Sequence, residues 1–199
     1  MVTQEDLEKM SPEEIKQLQI QNCIFCKIIS GEIPSKKIYQ DDECIVILDI
    51  NPASSGHLLV LPKKHESVFP LLEKSIQKHC FMIAKQLSEC LIKTFQVSGT
   101  SIFVANGAVA GQKSPHCMIH VLPRNENDNL FSLPKNPISS HDLKKLQLIL
   151  RQAVSKILGV EDSELASELR SIQENSKKQE VPVKKDDDKA DLDKISGLF

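Results

Sequence analysis

The segment Gly111-Gln112-Lys113-Ser114-Pro115-His116-Cys117-Met118-Ile119-His120-Val121-Leu122-Pro123-Arg124 gathers the side chains best able to do chemistry. His116, Met118 and His120 alternate with Cys117, Ile119 and Val121. On a β-strand successive side chains point to opposite faces, so two imidazoles share one face with a thioether between them. Imidazoles that close can share a phosphate or a metal ion. A thioether takes no proton and is a poor nucleophile toward phosphorus, so Met118 can do neither job of an imidazole.

Cys23-Ile24-Phe25-Cys26 has metal or redox spacing. It is half of a tetrahedral zinc site and needs two more ligands. His65, just past Pro62-Lys63-Lys64, and His116 are available among the six histidines. Two cysteines on one short helix can equally be core residues, and the spacing leaves both readings open. A redox role fits less well, because that motif belongs between a strand and a long helix, and Gly31 and Pro34 cut this helix short. Cys44, Cys80, Cys90 and Cys117 lie in apolar or helical patterns and read as small hydrophobes. No secreted disulfide framework is suggested.

Asn106, Gln112 and Ser114 flank the small-residue loop Gly107-Ala108-Val109-Ala110-Gly111. Such a loop can bind phosphate through backbone N–H groups and neutral side-chain donors, although glycine and asparagine also serve plain turns. Asp49 closes the apolar run Ile45-Val46-Ile47-Leu48. It could accept hydrogen bonds from ribose hydroxyls, or simply cap the turn at Asn51-Pro52. His57, after Gly56, reads as a core histidine; His79 as an ordinary mid-helix side chain, surface or semi-buried; His141 as a helix opener.

The elements that must position these groups follow from pattern. With 199 residues and 40% apolar content the chain suits one domain with extensions. There is no Trp and one Tyr, so aliphatic side chains must fill the core. A net charge of −2 gives no basic excess for nucleic acid. No apolar run has membrane-span length and the polar N-terminus is no signal peptide, so the chain reads as soluble and cytoplasmic. Ser11-Pro12-Glu13-Glu14 starts a helix running to about Gln19. Cys23 to Ser30 is a second short helix. Strands are expected at Lys37–Tyr39, Cys44–Asp49, His57–Leu61, Thr100–Val104 and His116–Leu122, the last ended by Pro123. Helical periods cover Leu71–Phe95 and His141 to Leu158, with a weaker charged helix over Asp162–Ser171. From Ser176 the chain reads as a solvated, disordered tail. The expected organisation is a helical extension over 1–21, a core over 22–125, a helical part over 126–172 and the charged tail over 173–199.

The motifs Cys23-x-x-Cys26, Gly31-Glu32-Ile33-Pro34, Leu48-Asp49-Ile50-x-Pro52, Gly56-His57-Leu58-Leu59-Val60-x-Pro62-Lys63-x-His65, Asn106-Gly107, Ala110-Gly111-Gln112 and His116-x-x-x-His120-x-x-Pro123-Arg124 stand in one order. In that order they resemble the histidine triad (HIT) family from about Asn22 to Arg124. The resemblance implies an α+β fold, a five-stranded antiparallel sheet flanked by helices, and a homodimer. It implies binding of nucleotides, with attack at the α-phosphate by the middle histidine of His-x-His-x-His and no catalytic metal. Carried over by position, Asp49 would contact ribose, Ile28 and Ile47 the base, and Asn106, Gln112, Ser114 and His120 the phosphates. His57 would stand behind, orienting the imidazole of a full triad. The zinc-containing branch uses Cys23, Cys26, His65 and His116 as structural ligands, and all are present.

The departure is Met118, which occupies the nucleophile position. Cys117 should face the other way, and His120 matches the last histidine of the triad. Three readings follow. The first is a purine-nucleotide-binding protein without covalent chemistry. The second is an enzyme using direct water attack with His120 as acid or base. The third is a dimeric platform docking a protein partner through residues 191–199, where Ile195, Leu198 and Phe199 have short-motif spacing.

Overall fold

The computed structural model describes residues 10–131, 136–159 and Ser167. They fall into two compact units, divided between residues 132 and 133.

Helix α1 (Pro12–Asn22) starts on the expected capping box: the Glu14 N–H donates to the Ser11 hydroxyl and the Ser11 N–H to the Glu14 carboxylate at 2.7 Å. Cys23 then breaks the helix with extended backbone and caps α2 (Ile24–Ser30). Gly31 ends α2 at φ 89°, a left-handed conformation that glycine adopts without a Cβ penalty.

The sheet contains β1 (Lys37–Gln40), β2 (Cys44–Leu48), β3 (Leu58–Pro62), β4 (Gly99–Phe103) and β5 (Ile119–Arg124). Its order is β1-β2-β3-β5-β4, antiparallel throughout. The expected α+β architecture with a five-stranded antiparallel sheet is what the chain forms. Strands β2 and β3 are buried on both faces, which is why they read as unbroken apolar runs without alternation. One face, with Val46, Leu58, Val60, Ile119 and Val121, packs on Cys80, Ile83, Ala84 and Leu91 of α3 (Lys74–Phe95). The other, with Ile45, Ile47, Leu59, Leu61 and Met118, packs on Ile28 of α2, with Phe25 and Ile29 at its margin. Each such aliphatic side chain stabilises the fold by about 1.5–3 kcal/mol on burial.

Several expected boundaries differ. Strand β5 begins at Ile119 rather than His116, because the Cys117 N–H donates to the Glu66 carbonyl at 2.7 Å instead of a sheet partner. It continues through Pro123, opposite Thr100; β3 pairs only as far as Val121, so the missing proline N–H falls where β5 has one neighbour. Helix α3 begins at Lys74 rather than Leu71. Phe69–Leu71 form a separate 3-10 turn, and Leu72 and Glu73 are extended, with the Gln77 amide donating to the Phe69 and Leu72 carbonyls.

In the second unit, α4 (Ser140–Leu158) is capped by the Ser139 hydroxyl, which accepts from the Asp142 N–H, and ends at Gly159. His141 lies in its first turn. The helix expected over 162–171, Ser167 apart, and the tail with Ile195, Leu198 and Phe199 lie outside the described residues. Among the described residues no helix is long and apolar enough to cross a membrane.

Candidate functional site

Two sites are built on the α2-facing side of the sheet. The first joins the start of α2, the segment after β3 and the segment before β5. Cys23 caps α2, Cys26 lies within its first turn, His65 follows Pro62, and His116 precedes β5. Their donor atoms lie within 4.8 Å of one another. Cys23 Sγ is 3.5 Å from His116 Nδ1, Cys26 Sγ is 3.2 Å from His65 Nδ1 and 3.7 Å from His116 Nδ1, and the two Nδ1 atoms are 3.3 Å apart. A tetrahedral zinc with Zn–N of about 2.0–2.1 Å and Zn–S of about 2.3 Å requires N–N edges of about 3.3 Å and N–S edges of about 3.5 Å. These four donor distances match the edges of such a site.

The surroundings point the same way. His116 Nε2 lies 3.0 Å from the Pro62 carbonyl, so its proton sits there and Nδ1 presents a lone pair to the cluster. His65 Nε2 is buried with no partner among the described residues, so that ring is engaged through Nδ1 alone. Burial pushes the His116 pKa down to about 4, and burial with the adjoining Cys23 thiol pushes Cys26 up to about 12. Imidazoles held neutral beside the reluctant Cys26 thiol are what a cation would reorganise.

The second site begins one residue into β5. His120 stands opposite Leu59 of β3 and Phe103 of β4. Its Nδ1 is 3.0 Å from His57 Nε2, and His57 Nδ1 is 3.3 Å from Asp49 Oδ2. The Ala53 N–H donates to that same Nδ1 at 3.4 Å, so Asp49 acts on the ring by charge. His57 Nε2 and His120 Nδ1 share one proton between them, and the Asp49 charge favours the protonated form of both rings. Burial, with the His57 ring adding, lowers the His120 pKa to about 4. Burial also lowers that of His57, against the pull of Asp49. Phe103 stacks on His120 at 4.4 Å between centroids and an interplanar angle of 6°.

Met118 is nine-tenths buried among Ile28, Ile45, Ile47, Leu59 and Leu61. The residues expected around a base, Ile28 and Ile47, belong to that same cluster. Asp49 turns to His57 and caps the turn as well, its Oδ1 accepting from the Asn51 N–H at 2.9 Å. The Gln112 amide is fully engaged within the loop. It donates to the Ser67 and Ser114 carbonyls at 2.6 and 2.9 Å and accepts from the Gly107 N–H at 2.7 Å. Asn106 Oδ1 accepts from the Phe69 N–H at 2.9 Å, while its Nδ2 and the Ser114 hydroxyl make no hydrogen bond among the described residues. The structure thus brings Asp49, His57 and His120 together, and Cys23, Cys26, His65 and His116. It gives Gln112 a loop-fastening role.

Three contacts had no sequence signal. Phe103 meets His120 only through strand register. Arg124 grips Asp128 with two nitrogens at 2.5 and 2.6 Å and lies 5.4 Å from the centre of the Phe131 ring. His79 pairs with Asp41, 2.7 Å away and distant in sequence.

Comparison with known proteins agrees with this geometry. Residues 30–127 match the HIT domain model. The chain is 38% identical over 136 residues to an adenylylsulfatase of Arabidopsis thaliana, the match covering 66% of each protein. It is 41% identical over 109 residues to an uncharacterised HIT-like protein of Borreliella burgdorferi, covering 54% of this chain and 78% of that one. A zinc-bound histidine triad family protein of Mycobacterium smegmatis superimposes with a TM-score of 0.54 at 29% identity, over 69% of this chain and 99% of the other. By fold, motif order and identity, the chain belongs to the HIT family.

Proposed function

We propose that this protein binds a purine nucleotide on the His120 side of the sheet without forming a nucleotidyl-histidine, and that zinc held by Cys23, Cys26, His65 and His116 fastens the fold. The observation that carries the first part is Met118: the side chain between His116 and His120 is a buried thioether packed on Ile28 and Ile47. A thioether in that place supplies no nucleophile to phosphorus. Kinship with a protein named for an adenylylated substrate supports the nucleotide, and kinship with a zinc-bound structure supports the metal. The ion would act as a staple, tying α2 to the segments beside β3 and β5. With the Gln112 amide occupied, phosphate would be met by Asn106 Nδ2, the Ser114 hydroxyl, loop N–H groups and His120, while Asp49, Ile28 and Ile47 border the nucleoside. The homodimer implied by the family would use the sheet edge at β4 and the exposed Phe81, Met82 and Phe95 of α3.

The Asp49–His57–His120 chain favours a second reading. His120 can act as base or acid, taking a proton from water or giving one to the leaving group, as the water oxygen bonds to the α-phosphorus and the bond to the leaving group breaks.

Adenosine 5′-phosphoramidate separates these. The protein is incubated with it, quenched in acid and weighed intact, with Met118→His alongside. Neither adduct nor turnover is expected from the parent protein. An adenylyl adduct on the parent would overturn the proposal. Turnover without an adduct, abolished by His120→Ala, selects water attack. Calorimetry that finds no purine mononucleotide bound at millimolar concentration removes both readings.

A further inference from the structure

We propose that Asp41, Cys44 and His79, with Cys80 beside them, form a second metal site for a borderline-soft divalent cation of the zinc class. It lies on the α3-facing side of the sheet, away from Cys23, Cys26, His65 and His116.

The donors converge from three segments: Asp41 from the β1–β2 turn, Cys44 from the start of β2, and His79 from α3. Their ligand atoms lie within 4.8 Å of one another. Asp41 Oδ2 is the focus: His79 Nε2 is 2.7 Å from it, the Tyr39 hydroxyl 3.0 Å and Cys44 Sγ 3.8 Å. Cys80 belongs to the same buried cluster as Cys44, and both residues are fully buried.

An Asp41–His79 ion pair pinning the turn to α3 would explain two of these groups. It does not explain why a buried thiol, with a second one behind it, is aimed at the same carboxylate oxygen. Carboxylate, imidazole and thiolate form a donor set that zinc-class ions accept. One carboxylate and one thiolate neutralise a divalent charge, which a partly buried site requires.

The supporting contacts are already in place. Asp41 Oδ1 accepts from the Glu43 and Cys44 N–H groups at 2.9 and 2.7 Å, fixing the carboxylate. Glu43 Oε2 lies 3.9 Å from His79 Nδ1, within a small movement of the carboxylate–histidine hydrogen bond typical behind a metal-bound imidazole. On binding, the Cys44 thiol proton leaves to solvent and the His79 proton sits on Nδ1, facing Glu43. Tetrahedral edges of about 3.4 Å for O–N and about 3.6 Å for S–O require the partly exposed His79 ring to draw back from Asp41 Oδ2 by about 0.7 Å and Cys44 Sγ to approach it by about 0.2 Å. The His79 and Asp41 side chains are 35% and 21% exposed, so an ion can enter from solvent.

The test is zinc stoichiometry on the full chain, stripped with a chelator, reloaded with Zn²⁺ and desalted. His79→Ala, Cys26→Ser and Cys90→Ser are compared; Cys90 is an exposed thiol outside both clusters. The parent protein should hold about two equivalents, His79→Ala and Cys26→Ser one each, and Cys90→Ser two. Cobalt loading of Cys26→Ser should still give a thiolate-to-cobalt absorption band, lost on adding His79→Ala. A parent that holds one equivalent, unchanged by His79→Ala, overturns the proposal; so does a second equivalent that vanishes with Cys90→Ser. One equivalent lost with His79→Ala but kept in Cys26→Ser would sustain this site and defeat the first.

Discussion

His57 Nε2 and His120 Nδ1 lie 3.0 Å apart, joining the residue before β3 to the second residue of β5. Asp49 Oδ2 lies 3.3 Å from the other nitrogen of His57, and the Ala53 N–H donates to that nitrogen at 3.4 Å. Replacing His57 with Leu removes the hydrogen-bond partner of His120 Nδ1. A buried polar atom without a partner costs about 1–3 kcal/mol. His57→Leu should lose stability of that order, and the ¹⁵N shifts of His120 should report a changed balance of its Nδ1–H and Nε2–H tautomers. An unchanged His120 tautomer would show that the contact does not set it.

The same burial predicts acid sensitivity. The His120 pKa falls from an ordinary 6.5 to about 4, so the unfolded chain binds a proton before the folded one does. Stability from this group is complete above about pH 6.5 and is lost as pH falls toward about 4. His57, lowered in the same direction, adds to it. Denaturant melts from pH 7 to 4 should show a decline, and His120→Asn should flatten it. An equal slope in both proteins would place the acid transition elsewhere.

The four-donor cluster makes a separate claim on stability. If zinc joins Cys23, Cys26, His65 and His116, then Cys26→Ser removes that ion and the stability it supplies, leaving a folded but weakened chain. The melting temperature should fall by more than about 10 °C, since a change of 1 kcal/mol moves a domain of this size by several degrees. A chelator should lower the parent protein's melting temperature toward that of the variant and shift the variant by much less. A parent indifferent to chelation would contradict the staple.

Much of this was legible in the chain because the signals are local. The capping box at Ser11 and Glu14 and the doubly buried runs of β2 and β3 depend on near neighbours. The resemblance to the HIT family further implies Cys23, Cys26, His65 and His116 as one set, and their donor atoms lie within 4.8 Å of one another. What stayed hidden depends on register or on competition for hydrogen bonds. That Phe103 lies on His120 follows only from the pairing of β4 with β5. Gln112 could bind phosphate or fasten its loop; three backbone partners within reach settle it for the loop, and nothing in the sequence announces Ser67 as one of them. The half-buried position of His79 is legible from its helix, but its partner Asp41 sits in a distant turn that no local pattern joins to it.

Met118 offers a final test, since it has two roles that substitutions can separate. As a packing residue it fills space among Ile28, Ile45, Ile47, Leu59 and Leu61. Truncating a buried methionine to alanine typically costs about 2–5 kcal/mol, whereas leucine of similar volume costs less than about 1.5 kcal/mol. Met118→Leu should therefore resemble the parent in denaturant melts and in nucleotide binding. Met118→Ala should be destabilised by several kcal/mol, with the loss spread through the α2-facing cluster. Met118→His places a polar ring in the same apolar surroundings, so it should lose stability while gaining covalent chemistry. If Met118→Ala melted with the parent, the side chain would not be packed as described, and the absence of a nucleophile would no longer coincide with a filled apolar site.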